Sequence, residues 1–249
     1  MRCFRLLLAY DGSGFHGWQT QLGQRTVQGE VEDALAIICQ ERVPLAAAGR
    51  TDAGVHALGQ VASFRLDSAL DPGKILASLR SLLPYDISVR ELHLAHESFH
   101  ARFSATGRFY LYRIGLEALA PFRGIRWEPR WPLDVERMQK ALAYLENATD
   151  FRSFCRSESA DKGTTCHLKE LSLEERNGEL QLRIGADRFL HNMVRIIAGT
   201  LVEIGRGRWE AEKMGEILES RSRQEAGDTA PPQGLYLMRV EYPKELLTP

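Results

Sequence analysis

The sequence predicts an α+β protein composed of two halves that share one order of elements. Apolar residues at alternate positions predict strands, and apolar residues three or four positions apart predict amphipathic helices. These patterns follow one another in the order βαββαβ, and the order then repeats. We therefore expect halves at 1–101 and 102–249, an extended and mostly antiparallel sheet with helices on one side, and a central cleft.

The first half opens with a strand over 4–10 and a helix that Thr26 caps. The apolar face of this helix carries Val27, Val31, Leu35 and Ile38. Further elements are strands near 45–48, 60–66 and 87–95 and a second helix from the Asp71-Pro72 cap to Leu83.

The second half repeats this order with longer insertions. A strand over 108–115 precedes a helix that Asp134 caps and that ends near residue 147. Asn177-Gly178 is a strong hairpin signal between two further strands. The remaining elements are strands near 168–174, 179–186 and 234–242 and helices near 188–204 and 210–220. Two such halves are typical of ferredoxin-like folds.

The composition is that of an ordinary globular protein. Of the 249 residues, 44% are apolar and 26% are charged, and the net charge is -1. No apolar stretch approaches the ~20 residues of a membrane-spanning helix, and the first residues do not resemble a signal peptide. The four cysteines lack paired spacing, which favours reduced thiols. We expect a cytoplasmic protein.

A nonapeptide at 49–57, GRTDAGVHA, places a carboxylate beside an arginine in a loop with glycines. Glycine allows a tight turn or a close approach to a ligand. Asp52 precedes a predicted strand, and a carboxylate that a rigid strand holds on a loop suits chemistry at a sugar carbon. For an isolated Asp-Ala-Gly, an Asx-turn or a helix cap is the more common explanation.

The helix near 188–204 carries an arginine at the edge of its apolar face. Arg195 lies between Val194 and Ile196 in the sequence. An arginine at the edge of a core usually has an anionic partner, and Asp52 is our candidate for that partner. The alternative is an ordinary solvated helix face.

Aromatic and basic residues are interleaved at 99–103 and at 108–113. Alternation along the second stretch puts Tyr110 and Tyr112 on one face of a strand. Proteins often bind single-stranded or flipped bases by stacking them on aromatic side chains that have arginines nearby. A non-catalytic RNA-binding module would also explain these strands, but it leaves Asp52 and Arg195 without a role.

Two short motifs suggest other chemistry. GSGFHG at 12–17 fits the dinucleotide-binding pattern, but helical periodicity starts only near Thr26. HESFH at 96–100 fits a zinc-hydrolase pattern, which requires both histidines on one helix face, whereas this segment leaves a strand. We interpret the first as a ligand-facing loop and the second as a structural or RNA-facing loop.

The ordered motifs of this chain resemble the TruA-type tRNA pseudouridine synthases over nearly its whole length. Besides the nonapeptide and the Gly59-Gln60-Val61 that follows it, the matching residues are Tyr10-Asp11-Gly12 with Phe15, Gly17 and Gln19, Thr26-Val27-Gln28, the stretch 99–104, Tyr110 and Tyr112, Asp150-Phe151 with Ser153-Phe154, Phe189-Leu190 with Met193-Val194-Arg195, Gly199-Thr200-Leu201, and Ala230-Pro231-Pro232 with Gly234-Leu235.

The resemblance implies isomerisation of uridine to pseudouridine at positions 38, 39 and 40, in the anticodon arm of tRNA. It implies a homodimer that uses neither a metal nor an organic cofactor. Asp52 is then the nucleophile, Tyr110 stacks on the base and assists proton removal, and Arg195 is the salt-bridge partner of Asp52. Arg50 helps to displace the target nucleotide, and Leu235 forms part of the uracil pocket. A synthase with other RNA target sites is the alternative.

Overall fold

The computed structural model describes residues 1–156 and 163–249. Its strands are β1 (Arg2–Tyr10), β2 (Ala46–Ala47), β3 (His56–Leu66), β4 (Ile87–Ala95), β5 (Gly107–Gly115), β6 (Leu168–Arg176), β7 (Glu179–Ala186) and β8 (Leu235–Glu241). Its α-helices are α1 (Val27–Cys39), α2 (Pro72–Leu82), α3 (Val135–Ala143), α4 (Met193–Gly205) and α5 (Lys213–Ser220). The α+β class predicted from the sequence is confirmed.

The predicted helix caps and the predicted hairpin are present. The side chains of Thr26, Asp71 and Asp134 each accept a hydrogen bond from a backbone N–H three residues further on, at 3.0 to 3.3 Å. Each cap satisfies one of the N–H groups that a helix start leaves without a partner. Asn177 and Gly178 have φ angles of +52° and +75°, as the tight turn between β6 and β7 requires.

Internal contacts divide the chain into two compact units. The first comprises Met1–Thr106 together with Tyr236–Pro249, and the second comprises Gly107–Leu235. The last strand therefore begins at the end of the second unit and continues in the first. The predicted boundary near residue 102 stays a prediction. It divides the chain by the repeated order of elements, whereas the two units are divided by their internal contacts.

In the first unit the strand order is β4-β1-β3-β8, and β2 also pairs with β3. β1 is antiparallel to both β3 and β4, whereas β3 and β8 run parallel from the pair His56 and Tyr236. Phe4 of β1 stacks on Phe64 of β3 with the ring centroids 4.9 Å apart. This pairing places the start of β3 beside the end of β1, where the nonapeptide loop joins the sheet.

In the second unit β5, β7 and β6 form an antiparallel arrangement in that order. α4 is a core helix, since all of its residues except Arg195 and Glu203 are buried. Within the described part of the chain, no helix has the length and apolar character needed to cross a lipid bilayer.

Several element boundaries differ from the prediction. α3 ends at Ala143 rather than near residue 147, and α5 begins at Lys213 rather than near residue 210. α4 begins at Met193 rather than near Arg188, because Asn192 has a φ of +64° and a right-handed helix cannot include that conformation. β3 begins at His56 rather than at Gln60. The longer strand starts directly after the turn that follows Asp52, which holds this loop close to the sheet.

Candidate active site

Asp52 lies in the loop between β2 and β3, in the first unit. Its side chain is partly exposed, and that of Arg50 in the same loop is exposed. Val55 N donates to Asp52 O at 3.2 Å, and Gly54 has a φ of +78°, so the backbone turns sharply after the carboxylate. The loop therefore presents an acid and an arginine to the outside of the unit within three residues.

Buried polar side chains fix the backbone immediately before Asp52. The Tyr10 hydroxyl and Thr51 Oγ1 lie 2.8 Å apart, and either oxygen can donate. Gln60 Nε2 donates to Gly49 O at 2.8 Å and lies 3.4 Å from the Tyr10 hydroxyl. Tyr10, Thr51 and Gln60 are all buried, so these bonds are protected from water. The carboxylate of Asp52 thus projects from a backbone that the sheet holds on both sides.

The glycine-rich stretch 12–17 packs against the same loop. Trp18 N donates to Thr51 O at 3.0 Å. A Cβ atom on Gly17, whose φ is +89°, would lie 2.7 Å from Thr51 O, and one on Gly12 would lie 2.1 Å from Val55 O. Only glycine fits at these two positions. The glycines therefore serve the approach of two backbones, and the next α-helix begins only at Val27.

His56 joins the two loops on the buried side. Its ring is stacked on Tyr236 with the centroids 4.7 Å apart, and the residue is 3% exposed. The Gly12 N–H donates to His56 Nδ1 at 3.1 Å, and an oxygen of Asp11 lies 3.2 Å from the same nitrogen. The imidazole therefore links β3, which His56 begins, to the glycine-rich turn.

Tyr110 lies on β5 in the second unit, opposite Ile184 of β7. Its side chain is partly exposed, and its ring lies nearly perpendicular to that of Phe189 at a centroid distance of 5.0 Å. Edge-to-face packing of this kind fixes the plane of the ring. Tyr110 is thus an oriented aromatic side chain, as stacking on a base would require.

Tyr112, two residues along the same strand, has a different environment. It is fully buried, and its hydroxyl donates to Pro231 O at 2.7 Å. Burial raises the pKa of the Tyr112 phenol above its usual range, so this side chain stays neutral. A Cβ atom on Gly234 would lie 2.7 Å from the Tyr112 ring. Tyr112 therefore supports the segment that leads to Leu235.

Arg195 lies in the first turn of α4 and also holds the segment 230–235. Its Nε donates to Ala230 O at 2.8 Å, and its Nη1 donates to Asn192 Oδ1 at 3.1 Å. The backbone returns the contact, since Ala230 N donates to Arg195 O at 3.1 Å. A Cβ on Gly199 would lie 1.9 Å from Asp228 O, so the segment packs directly on the helix. The guanidinium is consequently held at two of its nitrogens, Nε and Nη1.

Leu235 is the first residue of β8 and is 7% exposed. It follows the Pro231 and Gly234 that Tyr112 contacts, so its position depends on the same support. The structure brings Arg50 and Asp52 together in the first unit. It brings Arg195, Tyr112 and the 230–235 segment together in the second. The pairing of Asp52 with Arg195 stays a prediction.

The side chains that hold the Asp52 loop were not predicted from the sequence. Tyr10 and Gln60 belong to the motifs that carry the resemblance, but no role was assigned to them or to His56 and Thr51. The signal was the unusual placement of a glutamine within an apolar strand, because a buried amide needs hydrogen-bond partners.

The stretch 99–103 divides into a buried part and an exposed part. Phe99 and Ala101 are 1% and 0% exposed and belong to the core of the first unit. Phe103 is 76% exposed, with the ring of His100 at 4.5 Å and the guanidinium carbon of Arg102 at 5.6 Å from its centroid. The interleaved pattern is therefore a core anchor followed by an exposed aromatic ring beside basic side chains.

The zinc-hydrolase pattern does not have the geometry it needs. His96 follows β4 in a turn, and no helix places His96 and His100 on one face. His96 Nδ1 lies 2.8 Å from Ser98 Oγ, and His100 Nδ1 accepts from Arg102 N at 3.1 Å. Over residues 1–156 and 163–249, no group of three or more His, Cys, Asp or Glu side chains is arranged to hold a metal ion.

Comparison with known proteins identifies the family. The tRNA pseudouridine synthase family matches this chain over residues 7–104 and 141–243. The tRNA pseudouridine synthase A of Thermosipho africanus (strain TCF52B) is 44% identical over 242 residues, which cover 96% of this chain and 99% of that protein. The protein of the same name from Acetivibrio thermocellus is 41% identical over 244 residues, covering 97% and 100%. That from Moorella thermoacetica is 44% identical over 246 residues, with the same coverage. On the strength of these matches, which span almost the whole of each protein, the chain belongs to the tRNA pseudouridine synthase family.

Proposed function

We propose that this protein isomerises uridine to pseudouridine at positions 38, 39 and 40, in the anticodon arm of tRNA. The family match supports the reaction and the class of substrate. The observation that carries the proposal is the position of Asp52 on a loop that buried hydrogen bonds hold rigidly. A carboxylate held in this way can act at one atom of a bound substrate.

The chemistry requires the bond between C1′ and N1 to break, the uracil to rotate, and C1′ to join C5. Breaking the glycosidic bond develops positive charge on the sugar, which a nearby carboxylate stabilises or captures covalently. Asp52 is the group that we assign to this role. Attack on C1′, attack on the ring and removal of a sugar proton are all open to its carboxylate.

The target nucleotide must leave the helical stack before Asp52 can reach its sugar. Extruding a nucleotide costs a few kcal/mol. We assign Arg50 to offset this cost by occupying the space that the nucleotide leaves, since its side chain is exposed next to Asp52. Tyr110 would stack on the extruded base and assist proton removal, because its ring is oriented by Phe189 and partly exposed.

We also assign Arg195 and Leu235 to the substrate site, as the resemblance implies. Two hydrogen bonds position the guanidinium of Arg195, which leaves its charge able to stabilise the carboxylate of Asp52. Leu235 is apolar and buried, and it would form a wall of the uracil site. Such a wall excludes water, which would otherwise hydrolyse the intermediate in place of rejoining.

The partners follow from the same reasoning. The exposed Phe103 and its basic neighbours would contact RNA bases and phosphates. We also propose a cytoplasmic homodimer, which the resemblance to TruA-type enzymes supports.

Incubation of the purified protein with an unmodified tRNA transcript tests the function. Mapping of pseudouridine at single-nucleotide resolution should show it at positions 38, 39 and 40 and at no position outside the anticodon arm. Pseudouridine elsewhere in the transcript would show that the protein is a pseudouridine synthase but would refute the assigned target positions. RNA binding without any pseudouridine would instead identify a non-catalytic RNA-binding module.

A further inference from the structure

His56 occupies a junction between the loop that carries Asp52 and the glycine-rich turn. It begins β3 directly after the nonapeptide turn, and its ring stacks on Tyr236 at an interplanar angle of 17°. The residue is 3% exposed. The stack and the strand fix the ring. A change in the protonation of its nitrogens therefore changes the hydrogen bonds that the ring makes with its neighbours.

Two groups compete for one nitrogen of this ring. The Gly12 N–H donates to His56 Nδ1 at 3.1 Å, which requires that Nδ1 carry no proton. Asp11 Oδ1 lies 3.2 Å from the same nitrogen, and a carboxylate there favours a proton on it. The arrangement with Gly12 as the donor therefore needs a neutral imidazole whose proton is on Nε2.

The two partners belong to one turn. Asp11 Oδ1 also accepts from Ser13 N at 2.9 Å, which forms the cap of the short helical turn Gly12–Gly14. Burial opposes ionisation of Asp11, but hydrogen bonds from Ser13 and the nearby His56 keep the pKa of this carboxyl below its ordinary value. Asp11 is thus charged at neutral pH and available to an imidazolium.

This turn rests directly on the loop that carries Asp52. The position of a Cβ on Gly12, 2.1 Å from Val55 O, shows that the two backbones touch. A change in the hydrogen bonds of Gly12 therefore moves or loosens the residues around Asp52. A displacement of about 1 Å at a reacting group can cost a factor of about a hundred in rate.

We propose that His56 is a positioning residue of this synthase, and that its neutral form, with Nδ1 accepting from Gly12, holds the Asp52 loop in the reactive geometry. The proposal rests on the function proposed above. When Nδ1 takes up a proton, the nitrogen changes from acceptor to donor, the bond from Gly12 is lost, and the bond to Asp11 replaces it. Protonation therefore lowers the rate of the chemical step and leaves RNA binding unchanged.

The other ionisable groups around this junction act in a consistent direction. Tyr236 contributes a phenol ring on β8, which stacks on the imidazole. Behind Asp11, the Asp11 N–H donates to Asp86 O, and the Asp86 carboxylate is paired with Arg25 at 2.7 Å. Because Arg25 also pairs with Glu30 at 2.8 Å, this cluster carries a net negative charge, which adds to that of Asp11 in favouring the protonated form of His56.

Two substitutions and a control test the proposal by single-turnover kinetics on a tRNA transcript between about pH 5 and pH 8. His56→Phe keeps a ring on Tyr236 but removes the acceptor. We expect its rate at pH 7.5 to fall about tenfold, while the Kd for tRNA changes by less than about twofold. His56→Asn places an acceptor oxygen near the position of Nδ1 and cannot titrate, so we expect it to recover most of the rate and to flatten the acidic limb of the profile.

His93→Asn is the matched control, because His93 is 55% exposed and pairs with Glu91 on the surface. Its profile should equal that of the unmodified protein. An unchanged acidic limb in His56→Asn, or a His56→Phe rate equal to that of the parent, would overturn the inference. If His56→Phe fails to fold, the profile of His56→Asn decides alone. Absence of pseudouridine from the unmodified protein would refute the proposed function instead.

Discussion

The hydroxyl of Tyr10 and the hydroxyl of Thr51 meet at 2.8 Å inside the first unit, one residue before Asp52. Tyr10 ends β1, and Thr51 belongs to the loop that precedes β3, so this bond ties the proposed nucleophile to the sheet. Catalytic groups need supporting side chains whose own positions are fixed. The Tyr10–Thr51 pair provides that support from a buried position.

Substitution of Tyr10 by phenylalanine tests this support. The change leaves the Thr51 hydroxyl buried without its phenol partner, which should cost about 1–2 kcal/mol of unfolding free energy. Because the loop is also less fixed, we expect the rate of pseudouridine formation to fall several-fold with tRNA affinity retained. Urea denaturation and single-turnover assays measure the two effects. Tyr85→Phe is the control, since Tyr85 is 99% exposed, and both of its values should equal those of the parent.

Gly12→Ala tests the close approach of the two loops. A Cβ at this position would lie 2.1 Å from Val55 O, so one backbone must shift. Overpacking of this kind costs about 1–3 kcal/mol, and here the strain falls next to Asp52. We expect lower thermal stability together with loss of activity. Gly124→Ala is the control, because a Cβ there meets nothing within 4 Å, and this variant should be as stable as the parent or slightly more stable.

Much of the fold could be predicted because local patterns and tertiary structure agree. Thr26 and Asp134 are caps in the sequence and in the structure, and the bounds of β7 are those that the alternation indicates. The start of α4 could not be predicted, because the positive φ of Asn192 is imposed by its surroundings and leaves no mark on apolar periodicity. Phe99 and Phe103 likewise have similar local sequence and opposite burial.

The supports of the candidate site were beyond prediction for a different reason. Tyr10 and Gln60 act through the register of β1 and β3, in which Tyr10 is opposite Ala57 and Gln60 is opposite Leu8. Register is set by long-range packing and by the irregularity near the end of β1, and no local pattern encodes it. The residues proposed to contact substrate come from the resemblance, whereas the side chains that hold the Asp52 loop come from the structure.

Asp52→Asn should abolish pseudouridine formation and leave tRNA binding nearly unchanged. Asparagine has the shape of aspartate but lacks the negative charge that the sugar requires. Nucleoside mass spectrometry of treated transcript measures the product, and a filter-binding assay measures the Kd. Asp33→Asn, at an exposed position of α1, serves as the control and should be fully active. Substantial turnover by Asp52→Asn would remove Asp52 from its role.

Arg195→Lys should lower activity although the charge is kept. Lysine cannot donate to Ala230 O and Asn192 Oδ1 at the same time in the geometry of the guanidinium, so the 230–235 segment loses its contact with α4. We expect a loss of about 1–3 kcal/mol of stability and a lower single-turnover rate. Arg208→Lys controls for the substitution itself, since Arg208 is 60% exposed and pairs with Glu203. Equal rates for the two variants would contradict a positioned guanidinium.

Phe103→Ala should weaken tRNA binding without affecting stability. The ring is 76% exposed, so its removal leaves no cavity, whereas stacking of a base on an aromatic ring contributes about 1–3 kcal/mol. Phe99→Ala provides the contrast, because Phe99 is 1% exposed and its loss should cost about 3–5 kcal/mol of stability.

Affinity for tRNA should also fall steeply with added salt, and Arg102→Ala should reduce the salt slope by about one. If Phe103→Ala binds tRNA as the parent does and the salt dependence is flat, this surface has no part in RNA recognition, and the phosphate contacts must be sought elsewhere on the protein.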